Sequence, residues 1–183
     1  MAKIAIRNLA VAIVLFASCV SLSRTAEAGD WIYKKEEKAF GAIDATAMAV
    51  GDESVAFVRC DDGELGVSLA TPEDWKDSSA GMNALSPQII MAVDGSEPFK
   101  YAATLGENGM HKFLASIEDE ALAKEAVQKM IAAKKKIEIG IEIGGKRFYA
   151  SKLAAAGASK KLQSVLDTCA SKEEAEAKSD EKK

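Results

Sequence analysis

The chain has few of the residue types that build catalytic and metal centres. Its 183 residues include one histidine, His111, and three cysteines, Cys19, Cys60 and Cys169. So few imidazoles and thiols leave too few ligands for a typical zinc site, and no Cys-x-x-Cys pair is present to form a redox centre. A Gly-x-Ser-x-Gly nucleophile motif is missing too. The sequence therefore predicts no catalytic, cofactor-binding or metal-binding residue, and a hydrolase that depends on His111 is kept as an alternative.

An excess of positive charge is also missing. The whole chain carries 24 basic and 28 acidic side chains. Because the first 28 residues hold three basic and one acidic side chain, residues 29–183 carry 21 basic and 27 acidic ones, a net charge of −6. A surface with this balance repels polyphosphate, so nucleic acid is not expected as a partner.

The chain lacks an apolar run long enough to form a membrane-spanning helix. Its early run, Leu9 to Phe16, is too short for that role. It follows the basic residues Lys3 and Arg7 and precedes a small-x-small site at residues 26–28, an order typical of a secretory signal peptide. We therefore predict a signal peptide over residues 1–28, a mature chain that starts at Gly29 and has no transmembrane segment, and a periplasmic or secreted location.

Cys19 allows a second interpretation of the same leader. Phe16-Ala17-Ser18-Cys19 loosely resembles a lipobox, in which the cysteine carries the lipid. A lipoprotein anchored through Cys19 is therefore the alternative to a soluble exported protein.

Removal of the leader leaves Cys60 and Cys169, and two cysteines in an oxidising compartment predict one disulfide. Asp62-Gly63 is a two-residue hairpin signal, which places Cys60 opposite Leu65 on an apolar face. Cys169 ends an apolar stripe at helical spacing that also holds Leu162, Val165 and Leu166. Both sulfurs are thus expected to face the core, and their bridge should join a helix to the sheet. The expected hairpin pairs are Cys60–Leu65, Val58–Val67 and Ala56–Leu69.

Apolar patterning predicts a single α+β domain over residues 29–169. Strands are expected near 31–33 and over 45–50, 55–60, 65–70, 89–93, 99–105, 137–143 and 146–150, with a loop from Thr71 to Ser86. Helices are expected over 118–135 and 159–169. The resulting fold is an antiparallel sandwich or bent sheet of six to eight strands with two helices, the C-terminal one packed on the sheet. Residues 170–183 are charged and lack apolar anchors, so we predict a disordered tail.

Gly144-Gly145 predicts a second tight hairpin. The strand before it alternates isoleucine with polar residues or glycine from Ile137 to Ile143. A two-residue loop would place Ile141 opposite Phe148 and Glu142 opposite Arg147. The first pair would be apolar, and the second would be an exposed ion pair.

Several short segments have a counterpart in one known family. They are Trp31 just after the cleavage site, Val58-Arg59-Cys60-Asp61, the run from Ile90 to Gly95, a helix over 121–131 before a strand pair, and a closing region with Phe148, Gly157-Ala158-Ser159 and Leu162 to Leu166. In this order the chain resembles the invasion-associated locus B-like family of small exported alphaproteobacterial proteins. The resemblance implies a β-rich periplasmic or surface protein without known catalysis. It carries over no functional residue.

Export and the missing catalytic set favour an exported, non-enzymatic binding protein of the periplasm or envelope. Its expected partner is an envelope or host protein. The alternative is a secreted inhibitor of a host or competitor enzyme such as a lysozyme, with Thr71 to Ser86 as the inserting loop.

Overall fold

The computed structural model describes residues 31–38, 42–52 and 54–180, with side chains described up to Ser171. The predicted signal peptide, its cleavage site and Cys19 lie outside the described residues.

The described residues form ten strands, two α-helices and one 3-10 helix. All strand pairs are antiparallel. A six-stranded sheet has the order β1-β2-β3-β4-β8-β7, and a four-stranded sheet has the order β10-β9-β5-β6. The elements in chain order are β1 (Ile32–Glu37), β2 (Ile43–Val50), β3 (Val55–Asp61), β4 (Glu64–Asp74), the 3-10 helix (Asp77–Leu85), β5 (Gln88–Val93), β6 (Phe99–Ala102), β7 (Thr104–Glu107), β8 (Lys112–Ile117), α1 (Glu120–Ala132), β9 (Lys136–Ile143), β10 (Lys146–Ala154) and α2 (Ala158–Asp180).

The predicted α+β class is confirmed, and so is the packing of the C-terminal helix on a sheet. The strand number is ten instead of six to eight. One added strand is β8, where Leu114 on the outer face hides the alternation of Phe113, Ala115 and Ile117. Another comes from the expected strand over 99–105, which divides at Ala103 because its two halves join different sheets.

The two α-helices cover the inner face of the six-stranded sheet. α1 packs on β4, and α2 packs on β2 and β3. The inner side chains of β2 are Ala45, Ala47 and Ala49, all at most 1% exposed, and such small side chains allow α2 to approach closely. Asp119 caps α1, since its carboxylate accepts a hydrogen bond from the Leu122 backbone N–H at 2.9 Å.

One hydrophobic core joins the two sheets. The four-stranded sheet contributes Ile89 and Met91 from β5, three isoleucines of β9 and Leu153 from β10. At the end of β10, the Ala154 carbonyl accepts a hydrogen bond from Trp31 Nε1 at 2.9 Å. The residue just before β1 is thereby tied to the other sheet.

The β3–β4 hairpin has the predicted register. Cys60 pairs with Leu65, Val58 with Val67 and Ala56 with Leu69, and all six side chains are buried. Asp62 and Gly63 both have positive φ, 53° and 93°, as this turn requires.

The predicted disulfide joins this hairpin to α2. The Cys60 and Cys169 sulfurs are 2.08 Å apart, and their Cα atoms are 5.6 Å apart. Leu162, Val165 and Cys169 are buried and Leu166 is half-buried, which confirms that they share the inner face of the helix.

The second hairpin differs from its predicted register. Arg147 pairs with Glu142 as expected, but Ile141 pairs with Tyr149 and not with Phe148. A β-bulge at Phe148 shifts the register by one residue. Phe148 instead packs on Phe113, with ring centroids 4.9 Å apart.

The segment from Thr71 to Ser86 is not a loop, which corrects the prediction. β4 continues to Asp74, and the 3-10 helix follows. The Asn83 side chain bonds the Leu105 backbone twice, donating to its carbonyl at 2.9 Å and accepting from its N–H at 2.7 Å. These contacts hold the helix against β7.

α2 extends beyond the expected end near Cys169 and reaches Asp180. The tail from Ala170, which its charged composition predicts to be disordered, is helical as far as Asp180. Alanine, glutamate and lysine also have high helix propensity, which explains why the helix continues through them.

Candidate functional site

The outer face of the four-stranded sheet carries a concave site of about 350 Å³, which we call the sheet cleft. Its floor consists of residues that alternate with core residues along β5, β9 and β10, so they face away from the core. Ile90 and Ala92 on this floor are only 7% and 9% exposed. The cleft is lined by Asp52, Ile90, Met91, Ala92, Gly95, Ser96, Pro98, Glu138, Ile139, Gly140, Arg147, Ala150, Ser151 and Lys152.

Gly140 explains why this face is concave. A Cβ at position 140 would point to the outer face and would lie 2.4 Å from the Tyr149 carbonyl oxygen and 3.2 Å from Ala150 Cα. The backbone of β10 therefore bends across the outer face of β9, helped by the bulge at Phe148. Because only glycine fits where β10 lies this close to β9, the glycine at position 140 is the sequence feature that allows the curvature.

Gly51 brings a carboxylate to one end of the cleft. A Cβ at position 51 would lie 2.2 Å from Ser151 Oγ and 3.0 Å from the Lys152 carbonyl oxygen, so the turn after β2 packs tightly on β10. The next residue, Asp52, lines the cleft. Ser54 and Ser151 are buried beside Gly51, and neither hydroxyl has a hydrogen-bond partner among the described residues.

Strand register divides the outer face of the four-stranded sheet into three rows that run across the strands. The middle row is apolar, and each flanking row carries charges. The rows are Ala92–Glu138–Lys152, Ile90–Gly140–Ala150 and Gln88–Glu142–Arg147. Because Glu138 and Glu142 are four residues apart on β9, the flanking rows are separated by roughly 13 Å.

The charges of the flanking rows are only partly neutralised within the sheet. Lys136 Nζ lies 3.1 Å from Glu138 Oε1, and Lys100 Nζ lies 2.6 Å from Glu142 Oε1. Glu142 therefore pairs with Lys100 and not with Arg147, which corrects the predicted ion pair. In the described parts of the chain, Asp52, Arg147 and Lys152 make no ion pair.

A structured turn closes the cleft beyond β5. The Asp94 carboxylate accepts hydrogen bonds from the backbone N–H groups of Lys134, Lys135 and Lys136 at 2.9, 2.7 and 3.0 Å. These three bonds lower the pKa of Asp94 below its ordinary value of 3.8. Gly95 and Ser96, which line the cleft, follow directly and are positioned by this anchor.

No family model, curated protein or solved structure matches the chain.

The likeness to the invasion-associated locus B-like family therefore stays a prediction from the sequence.

A second cavity, of about 320 Å³, lies between α1 and α2. Half of its lining residues are polar or charged, such as Lys124, Gln128 and Asp167, and half are apolar, among them Leu65 and the bonded Cys169. The sheet cleft has the apolar floor and the few convergent charged groups that are typical of ligand sites. We therefore take the sheet cleft as the candidate site.

His111 lies away from both cavities. It occupies the tip of the β7–β8 hairpin with φ 57°, and its side chain is 87% exposed. Its Nδ1 contacts the Glu107 carboxylate. The backbone N–H of Trp75 donates a hydrogen bond to the backbone carbonyl of His111 at 2.9 Å. His111 therefore helps to hold the end of β4 beside this hairpin.

The described residues include no helix with the length and apolar character needed to cross a membrane. They also contain no group of three or more histidine, cysteine, aspartate or glutamate side chains placed to hold a metal ion.

Proposed function

We propose that this protein is an exported, non-enzymatic binding protein of the periplasm or envelope, and that the sheet cleft is its binding site. The observation that carries the proposal is the cleft itself, a concave outer sheet face with an apolar floor between two charged rows. A flat outer sheet face would normally be covered with solvated polar side chains, whereas Ile90 and Ala92 are sheltered here.

The disulfide supports export. Cys60 and Cys169 are buried and bonded, and such bridges form and persist mainly in oxidising compartments. We expect mass spectrometry of the protein recovered from the periplasm or medium to find Gly29 at its N-terminus. A lipid on Cys19, or an intact leader on a protein that stays in the cytosol, would contradict this part of the proposal.

A non-enzymatic role agrees with the placement of the reactive side chains. His111 is exposed at a hairpin tip, and Cys60 and Cys169 are bonded to each other. The groups that line the cleft are carboxylates, cations, a few hydroxyls and small apolar side chains. This set suits recognition of a charged ligand better than nucleophilic attack, which needs an activated nucleophile beside a base.

A substitution that fills the cleft tests the binding function. Ala150 is exposed on the outer face, so Ala150→Trp should block the cleft without touching the core. The probe is a bacterial envelope extract that retains both its proteins and its small molecules, added to isotope-labelled protein. We expect it to shift the backbone amide signals of Ala92, Gly95 and Gly140, and we expect those shifts to vanish in Ala150→Trp.

The matched control is Ala121→Trp, which adds the same side chain at an exposed position of α1. It should bind like the wild type. Absence of shifts in the wild type, or shifts that persist in Ala150→Trp, would overturn the assignment of the cleft.

A further inference from the structure

We infer that the sheet cleft binds a short extended peptide with free ends, about four residues long and with small side chains. The inference rests on the proposed function and adds the chemical class of the ligand. Its basis is the spacing of the charges along the cleft together with the apolar floor between them.

The length of the ligand follows from the strand register. The charged rows are four residues apart on β9, roughly 13 Å. An extended peptide also rises about 3.3 Å per residue, so four residues bring their terminal charges to the same separation. A shorter peptide would reach only one charged row.

The two ends of the cleft differ in charge. One end holds Asp52 and Glu138 together with the cations Lys152 and Lys136, and it is neutral overall. The other end holds Arg147 beside the Lys100–Glu142 ion pair, and it is positive. A peptide has an ammonium group at its start and a carboxylate at its finish. A guanidinium presents a planar pair of donors that matches a carboxylate, so the C-terminus belongs beside Arg147 and the N-terminus beside Asp52.

The floor sets the size of the ligand's side chains. It is built from Ile90, Gly140 and Ala150, with Pro98 on the rim, and these residues offer no side-chain hydrogen-bond donor. The β10 backbone lies so close to Gly140 that no side chain fits at the centre of this floor. Alanine-sized side chains suit such a shallow apolar floor, whereas long polar ones would lose hydration there without compensation.

The probe for this inference is tetra-alanine, used free, N-acetylated, C-amidated or with both caps, and titrated into the labelled protein. We expect free tetra-alanine to shift the amide signals of Gly95 and Gly140. Amidation of the peptide, or Arg147→Gln in the protein, should each weaken binding about tenfold, since each removes one charge-assisted contact. At the other end of the cleft, acetylation of the peptide and Asp52→Asn in the protein should each weaken binding about tenfold. Asp52→Asn should not weaken the binding of the acetylated peptide any further.

The pairing of peptide and protein changes makes the test specific. Arg147→Gln should not weaken the binding of the amidated peptide any further, because the contact is already lost. Arg59→Gln removes the same charge from the outer face of the six-stranded sheet and should leave binding unchanged. Equal binding of free and doubly capped tetra-alanine would overturn the inference.

The results with the two probes distinguish a failure of the ligand class from a failure of the binding function. If the envelope extract shifts the cleft signals and tetra-alanine does not, the ligand class is wrong and the binding function stands. If neither probe shifts them, both are wrong.

Discussion

The ionisation of Tyr101 depends on the fold. Its side chain is buried, at 2% exposure, and its hydroxyl donates to Glu125 Oε1 at 3.4 Å. Burial, followed by the negative charge of Glu125, raises the pKa of Tyr101 from 10.0 to about 12. The neutral phenol is therefore the form that the folded protein favours.

This pKa shift predicts alkaline sensitivity. Because the folded-state pKa is raised, the contribution of Tyr101 to stability is complete below pH 10.0 and is lost as the pH rises through about 12. In an ultraviolet absorbance titration of the three tyrosines, we expect one step near pH 12 that Tyr101→Phe removes. Tyr33→Phe is the control and should keep that step. A step near pH 12 that survives in Tyr101→Phe would contradict the assignment.

Some side-chain positions could be predicted from the sequence, whereas the grouping of residues in the cleft could not. Cys60 and Cys169 could be predicted to face the core, because each lies in a local apolar pattern of its own. Asp52 and Arg147 could not be predicted to share a site. They are 95 positions apart, and only the close packing of Gly51 on β10 brings the turn after β2 to this sheet.

At the scale of elements, the two hairpins show when register can be predicted. The β3–β4 register follows from Asp62-Gly63, because a two-residue turn fixes every pair beyond it. The same argument fails in the second hairpin after Arg147, where the bulge at Phe148 adds one residue. Phe148 is placed there by its contact with Phe113, a tertiary interaction that no local pattern reveals.

Gly140 is a sequence feature that indicates the irregular packing of β10 on β9. A glycine in the middle of a strand that otherwise alternates isoleucine and glutamate weakens that strand unless another backbone needs its space. Here that backbone is β10, whose Tyr149 oxygen would lie 2.4 Å from an added Cβ. The glycine thus marks both the bend of the sheet and the floor of the cleft.

Gly140→Ala should therefore destabilise the protein. The contacting atoms belong to the backbone of β10 and cannot move aside cheaply, so we expect a loss of about 1–3 kcal/mol in the free energy of unfolding. Urea denaturation measures this change. The control is Gly106→Ala in β7, where an added Cβ would have no neighbour within 4 Å, and it should be close to neutral. Equal stability of the two variants would mean that β10 does not cross β9 as described.

For the whole molecule, the arrangement of the sheets could not be read from the sequence. β5 and β6 form a hairpin, yet β7 follows β6 after only Ala103 and joins the other sheet beside β8. The Ala103 N–H donates to the Pro87 carbonyl at 3.0 Å, which helps to fix this change of sheet. Apolar runs predict that strands exist, but the choice between two available sheets is made by long-range packing.

The same long-range packing places the disulfide and the cleft on different sheets. The disulfide and both α-helices lie on the inner face of the six-stranded sheet, whereas the cleft lies on the outer face of the other sheet. Cys60 and Cys169 therefore stabilise the fold without contributing to the proposed site.

Loss of the disulfide should cost more stability than any single change above. The bridge spans 109 positions and restricts the unfolded chain, which corresponds to about 4–5 kcal/mol from loop closure. We expect Cys60→Ala/Cys169→Ala to lower the free energy of unfolding in urea by that order. Reduced wild-type protein should lose a similar amount, which separates the lost bridge from the effect of truncating two buried side chains. A reductant should have no effect on the double variant, and a wild type equally stable with and without reductant would show that the bridge does not hold α2 to the sheet.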